Sequence, residues 1–303
     1  MMGMELRAST ALPAAGQRST VGRRGFLATA IAAWLGGAFF PSRNSVLHAA
    51  EEKAVTSRQA QEEAAKAIPW SNLNEETHRK ILSVIEHPTI YRRLPKKTIE
   101  CDAELYLFLL RNPEIVVNMW QVMGVAAMTA QRTGPFTWNG NDGSGTKCDV
   151  ELAYGTEEMH ILYGDGFYEG PLFKRRISGR CVLLLRSGYE VGKDERSHVG
   201  NLLDVFLTID NAGVDLIAKT LFPLVGTTAD TNFAETAKFI SRVSYTAEQN
   251  PPGLQRLAGK LTKVDDPVRE QFSQVAAGVV ERAALRSTSG AALSRAGDRT
   301  TSR

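Results

Sequence analysis

Residues 147–154 read Lys-Cys-Asp-Val-Glu-Leu-Ala-Tyr. Cys148, Val150, Leu152 and Tyr154 alternate with Lys147, Asp149 and Glu151, the period of a strand that buries one face. The same period, broken by turn residues, extends in both directions. It predicts further strands at 125–132, 135–138, 158–163, 167–177, 180–187 and 201–209. The links between them are short and carry glycine, at 140–145, Gly155, Gly164-Asp165-Gly166 and Gly179. Links of that length join antiparallel neighbours, because a parallel crossover needs a dozen or more residues. The centre of the chain therefore reads as an antiparallel sheet of about seven strands, and the fold class as α+β.

Helical patterns lie on both sides of this sheet. Asn74 opens a helix with Ile81, Leu82 and Ile85 on one face, which ends before His87-Pro88. After an extended segment at 89–100, Asp102 is placed as an N-cap, and Asn112-Pro113 restarts a helix with proline in its first turn. Val116, Met119, Trp120 and Met123 form that helix's apolar stripe, and Gly124 closes it. Beyond the sheet, a long helical segment carries Leu216, Ile217, Leu221 and Leu224, then Phe233, Ala237, Ile240 and Val243. Asn250-Pro251-Pro252-Gly253 stops it, and shorter helices are expected at 254–262 and 266–285. The chain divides accordingly into 1–50, a polar linker at 51–70, an α+β domain at 71–250, a helical extension at 251–286 and a basic, disordered tail at 287–303.

Two helices, an antiparallel sheet and then a long apolar helix follow the element order of helix-grip proteins. Over about 94–246 the chain resembles START-like and polyketide-cyclase-like proteins in that order, without a shared residue motif. The resemblance implies that the sheet grips the long C-terminal helical segment, leaving space for a cavity between them. The helices beyond Pro252 depart from the minimal fold.

The chain's 303 residues include 43% hydrophobic and 23% charged residues, ordinary values for a globular protein. Its net charge of +3 belongs to its ends: residues 51–285 carry 27 basic and 31 acidic groups. That acidic body offers no footprint for a phosphate backbone, so nucleic acid is excluded as an expected partner. The basic N-terminus has another explanation. Arg23-Arg24-Gly25-Phe26-Leu27 opens an uncharged, mostly apolar or small stretch at 26–40, followed by Ala49-Ala50. Fifteen helical residues rise about 22 Å, short of a bilayer core of roughly 30 Å. A basic leader with a short apolar segment reads as an export signal. Arg23, Arg24, Phe26 and Leu27 resemble the twin-arginine signal, with Gly22 and Ala28 departing from its pattern. The implied partner is the twin-arginine translocation machinery and the implied location is periplasmic or secreted.

Residue types with reactive chemistry are sparse in pattern. Cys101, Cys148 and Cys181 lack metal-ligand spacing, and they read as buried core residues, although one pair can bridge in an oxidising compartment. The Gly-rich 139–147 segment ends Gly-Thr-Lys before a strand, so it is a hairpin tip and not a phosphate-binding loop. No Gly-x-Ser-x-Gly elbow exists, and no metal or cofactor is expected. His160 reads first as a structural histidine, and Asp204 and Asp210 flank an apolar run. At 168–176, Tyr168, Glu169, Phe173, Lys174, Arg175 and Arg176 put aromatics, an acid and three cations together. Consecutive Arg175 and Arg176 must face opposite ways on a strand, so one can point inward. It then makes an internal ion pair with Glu151, Glu169 or Asp204, or lies at an exposed rim, or, as the alternative, anchors an anionic headgroup at a cavity mouth.

The expected function is thus an exported protein that holds a hydrophobic small molecule or lipid between sheet and C-terminal helix. Arg175, Arg176, Trp120, Tyr154, Phe173 and Phe206 are the candidate ligand-binding residues, and an apolar cavity of about 300 Å³ is the requirement. The alternatives are a hydrolase or cyclase in the same cavity, using His160 with Glu169 or Asp204, and a structural or interaction protein of the envelope.

Overall fold

The structure is a computed structural model that describes residues 53–171, 176–192, 195–210 and 222–300, with backbone alone at 222–225, 227 and 287–300. Its elements follow the chain as α1 (Arg58–Lys66), a 3-10 turn (Trp70–Asn72), α2 (Glu75–Ile85), β1 (Ile90–Arg93) and β2 (Lys97–Glu100). Then come α3 (Ala103–Arg111), α4 (Pro113–Val122), β3 (Thr129–Gly134), β4 (Thr137–Asn141), β5 (Thr146–Gly155), β6 (Met159–Tyr168), β7 (Ile177–Val191) and β8 (Ser197–Ile209). The long helix α5 (Phe222–Gln249), α6 (Pro251–Ala258) and α7 (Asp266–Thr300) complete the chain.

The class is α+β, as the sequence indicates, with eight strands in one antiparallel sheet. Their order is β1-β8-β7-β6-β5-β4-β3, and β2 continues beside β8 in line with β1. The meander from β3 to β8 is the one that short links require. Helix starts sit where capping chemistry puts them. Asn74 accepts from the Thr77 amide at 2.8 Å, Asp102 from Leu105 at 3.0 Å and Asn250 from Gly253 at 3.1 Å.

Three differences from the sequence reading have physical causes. First, 158–163 and 167–177 are not two strands split by Gly164-Asp165-Gly166. Those residues lie inside β6, where a Cβ on Gly166 would stand 2.5 Å from the Lys147 carbonyl and 2.7 Å from the Cys148 Cβ. The glycine permits a close strand approach and marks no turn; Gly179 is likewise interior to β7. Second, the register of β5 against β6 shifts between Leu152 and Tyr154. This bulge puts Tyr154 opposite Ile161, on the other face from Cys148, Val150 and Leu152. Third, residues 58–66 in the segment read as a linker form α1, whose Ala60 and Ala64 are buried against the sheet. At the other end, α7 runs to Thr300, past the 266–285 that periodicity delimits.

The result is three layers. One sheet face carries Cys148, Val150, Leu162, Cys181, Leu183, Leu203 and Val205, and α3 to α7 cover it. Phe108 stacks on Phe272 there, and Trp120 tilts against Phe239. The second face carries Tyr91, Ile161, Val182, Leu184 and Phe206, and α1 and α2 cover it. Both faces of the central strands are therefore buried. All three cysteines are buried and unbridged, and burial pushes the thiols of Cys101 and Cys148 up to about 12.

A buried carboxylate fixes α4 to the β3–β4 hairpin. Glu114 is 2% exposed; its Oε1 accepts from Arg132 Nε at 2.7 Å and its Oε2 from Trp138 Nε1 at 2.7 Å. Arg132 also donates to Asn112 Oδ1 at 2.7 Å and lies over the Trp138 ring. Removing the carboxylate strands a largely buried guanidinium and an indole N–H. Glu114→Ala is expected to lower unfolding free energy by about 3–5 kcal/mol in urea titrations, and an unchanged midpoint would show that the network is dispensable.

Candidate functional site

Between the sheet and α5 lies an apolar pocket. Its walls are Ile99 from β2, Leu110 from α3, Leu185 and Leu203 from β7 and β8, and Phe233, Ala237 and Ile240 from α5. These positions follow from period two in the strands and from 3.6-residue spacing on the helix. Three polar side chains share the lining: Tyr106, Asn201 and Thr236.

The polar floor is a connected group. The Tyr106 hydroxyl meets Ser187 Oγ at 2.8 Å and donates to Asn201 Oδ1, while Asn201 Nδ2 donates to the Val199 carbonyl at 3.2 Å. Desolvation raises the Tyr106 pKa well above the ordinary tyrosine value, so the phenol stays neutral. Thr236 differs. It is 6% exposed, and its Oγ1 has no hydrogen-bond partner among the described residues. A buried hydroxyl of that kind carries a desolvation cost of about 1–3 kcal/mol until something bonds it.

The pocket occurs where a helix-grip arrangement would place it, yet its volume is about 40 Å³. That is room for roughly three water-sized groups, far below the roughly 300 Å³ that the expected hydrophobic small molecule or lipid requires, so the pocket does not meet that requirement.

The residues singled out from sequence do not converge here. Trp120 is 1% exposed and packs against Phe239 in the core of the same face, outside the pocket lining. Tyr154 and Phe206 belong to the opposite face, where Tyr154 meets Asn72 and Phe206 meets the Tyr91 ring. Arg176 is exposed and lies over the Phe167 ring, 3.4 Å from its centroid. Arg175 and Phe173 lie outside the described residues, as do Arg23, Arg24, Phe26 and Leu27.

The catalytic alternative fares no better geometrically. His160 pairs with Leu185 and shares its face, whereas Asp204 pairs with Leu184 and points to the other. Asp204 is fully buried and already engaged by Tyr91 Oη at 2.7 Å, Arg93 Nε at 2.8 Å and an Arg186 amine at 2.7 Å. Glu169 is exposed beyond the end of β6. The internal ion pair expected for an inward arginine therefore exists, but Arg93 and Arg186 make it. Among the described residues, no three His, Cys, Asp or Glu side chains gather as a metal site requires.

The pocket's polar members were nonetheless legible in the alternation. Ser187 continues the buried register of Cys181, Leu183 and Leu185, and Asn201 sits between Val199 and Leu203. A polar residue in an apolar register is the signal. Thr236 carries no comparable mark, because threonine is common on helix surfaces. With this geometry in view, comparison with known proteins gives no relative: the chain matches no protein-family model and no curated protein.

His160 is structural, and its environment makes a pH prediction. It is fully buried, its Nε2 accepts from Arg111 Nε at 3.2 Å, and its Nδ1 has no partner among the described residues. Burial first, and the Arg111 charge second, lower its pKa from 6.5 to about 4. Between those values the unfolded chain binds more protons than the folded one, so stability falls as pH drops through this window. The contribution is complete above about pH 6.5, and its loss by pH 4 amounts to about 3 kcal/mol. In His160→Gln, which keeps an acceptor for Arg111, the difference from wild type should shrink from pH 7 to pH 4.5. Parallel urea curves for the two proteins across that range would refute the assignment.

Proposed function

We propose that the chain is an exported binding protein for a small, uncharged, mainly apolar molecule seated between the sheet and α5. The observation that carries this reading is the unpartnered Thr236 hydroxyl, lining an apolar pocket whose other polar members, Tyr106 and Asn201, are held in place by each other. Apolar walls supply affinity, and a few fixed polar groups select the ligand. Among the described residues, no charged side chain lines the pocket, so a carboxylate or phosphate would enter at a prohibitive desolvation cost. The element order shared with START-like and polyketide-cyclase-like proteins supports the same location.

The pocket's size narrows the earlier expectation. A volume of about 40 Å³ takes a short apolar group or the end of a chain, and a whole lipid requires α5 to move away. The Arg92 guanidinium grips the Asp230 carboxylate with two hydrogen bonds, one of them 2.9 Å, and Ser241 Oγ donates to the Glu100 carbonyl at 2.7 Å. Both contacts tie α5 to the sheet.

Native mass spectrometry of protein recovered from the envelope of its own cells tests the reading. Wild type is expected to carry a stoichiometric small neutral species. Ala237→Leu fills the pocket; it should lose that species while melting at or above the wild-type temperature. Identical spectra for the two proteins, with no added mass on either, would refute the proposal.

The export half rests on the paired arginines and the short apolar segment that follows them. Replacing both Arg23 and Arg24 by lysine should leave the precursor in the cytoplasm on cell fractionation. Unimpaired export of that variant would remove the twin-arginine assignment.

A further inference from the structure

One helical turn beyond the apolar pocket, α5 borders a second cavity of different character. It has a volume of about 270 Å³ and lies between α5, α7 and the ends of β2 and β8. Arg196, Arg242 and Arg286 line it, together with Glu100, Glu248 and the exposed ring of Tyr245. Asp102 also borders it, but Arg282 occupies both of that carboxylate's oxygens, at 2.7 and 2.9 Å.

Among the described residues that line the cavity, three guanidinium groups then face two carboxylates. Glu248 is the hinge of the arrangement. It is four-fifths buried and accepts from Arg196 on one oxygen and from Arg286 on the other, each at 3.1 Å. Arg196 extends its remaining amine to Glu100. Arg242, three residues before Tyr245 on α5, has no carboxylate partner among the described residues. Arg196 and Arg286, each bonding Glu248 through one amine, stand beside the exposed Arg242, and the three guanidinium groups form a receptor into which an oxyanion can fit. Glu248 holds the place that an external anion would take.

We infer that this cleft is a binding site for a small molecule carrying a phosphate or carboxylate group, which displaces Glu248 from Arg196 and Arg286 and gains Arg242. Tyr245 offers its face to whatever flat portion adjoins that group. The site is separate from the neutral pocket and stands whether or not the pocket binds a ligand. A purely structural ion network would behave differently, because Glu248 would then be needed and not in competition.

The test is calorimetric titration at constant ionic strength, which removes general screening from the comparison. Inorganic phosphate and malonate serve as the two probes, and the tighter of them identifies the source of the oxyanion. Saturable binding to wild type is expected. Arg242→Ala should weaken it about tenfold, the range for losing one charged hydrogen bond, and Arg242→Lys should restore part of the loss. Glu248→Gln, with the internal competitor neutralised, should bind more tightly than wild type. No saturable heat with either probe, or equal affinity in wild type and Arg242→Ala, would overturn the assignment. Because Arg242→Ala strands no carboxylate, it folds independently of this network and decides the question even where Glu248→Gln is unstable.

Discussion

Five consecutive residues in β7, Cys181-Val182-Leu183-Leu184-Leu185, are each no more than 5% exposed. A strand sends successive side chains to opposite faces, so such a run can be satisfied only by a sheet that is covered on both. This requirement explains features that otherwise look unrelated. It demands that α1 and α2, which precede the sheet, fold back over one face while α3 to α7 close the other. It also explains why Ala60 and Ala64 are small: α1 must approach strands that already carry Tyr91, Leu184 and Phe206. The hydrophobic area removed from water on the second face belongs to this N-terminal layer, and a sheet without it would expose a broad apolar surface.

A double-covered sheet also encloses polar groups, and how each is satisfied separates architecture from candidate function. Asp204 receives three donors, two of them guanidinium arms, in a place where one missing partner would leave a buried charge uncompensated. Glu114 is likewise saturated by Arg132 and Trp138. The Glu114 carboxylate and the Asp204 carboxylate are both satisfied, although Arg186 Nε beside Asp204 has no partner among the described residues. The other buried side-chain polar atoms without a partner among the described residues are Thr236 Oγ1, His160 Nδ1 and Trp120 Nε1. Of these three, Thr236 lines the sheet–α5 pocket. Its unsatisfied hydroxyl is a local cost adjacent to empty space, which is the condition under which a ligand gains from a single hydrogen bond.

Much of the fold was legible because its signals are local. Asn74 and Asp102 mark helix starts through capping and Pro113 through its missing amide, and the structure places the helices there. Asn250-Pro251, read as a stop, ends α5 and also starts α6, three residues ahead of the expected 254. The antiparallel meander follows from short links. What escaped is what depends on a partner distant in sequence. The bulge after Leu152 reverses Tyr154, and the adjacent Gly155, which reads as a link, is still part of β5. Gly164-Asp165-Gly166 has the composition of a turn, yet it lies inside β6, and Gly166 serves a close approach to β5 that only the paired strand reveals. Asp204 is one acid that an inward Arg175 or Arg176 could pair with, whereas the arginines that take it are Arg186 and Arg93, the latter on the neighbouring strand β1 and 111 residues away in sequence. Candidate ligand residues chosen by size, such as Trp120 and Phe206, turned out to fill the two cores, since bulk alone reports burial and not vacancy.

Helix α5 is where the two proposed sites meet, and its anchoring bears on both. Arg92 holds it near its start through Asp230, Ser241 bonds the end of β2 midway, and Arg196 holds Glu248 near its close. Restraints at three points along a 28-residue helix leave little freedom to swell the pocket by tilting. Selection by exclusion follows: a ligand that exceeds the space beside Ala237 must break an ion pair, whereas a smaller one costs nothing in helix position. The third restraint is also the internal anion of the charged cleft. An oxyanion that takes Arg196 from Glu248 would release the end of α5, and by thermodynamic linkage a ligand that displaced α5 would in turn ease entry of the oxyanion. The physical link between the sites would then be one helix and one carboxylate, with no conformational wire through the core.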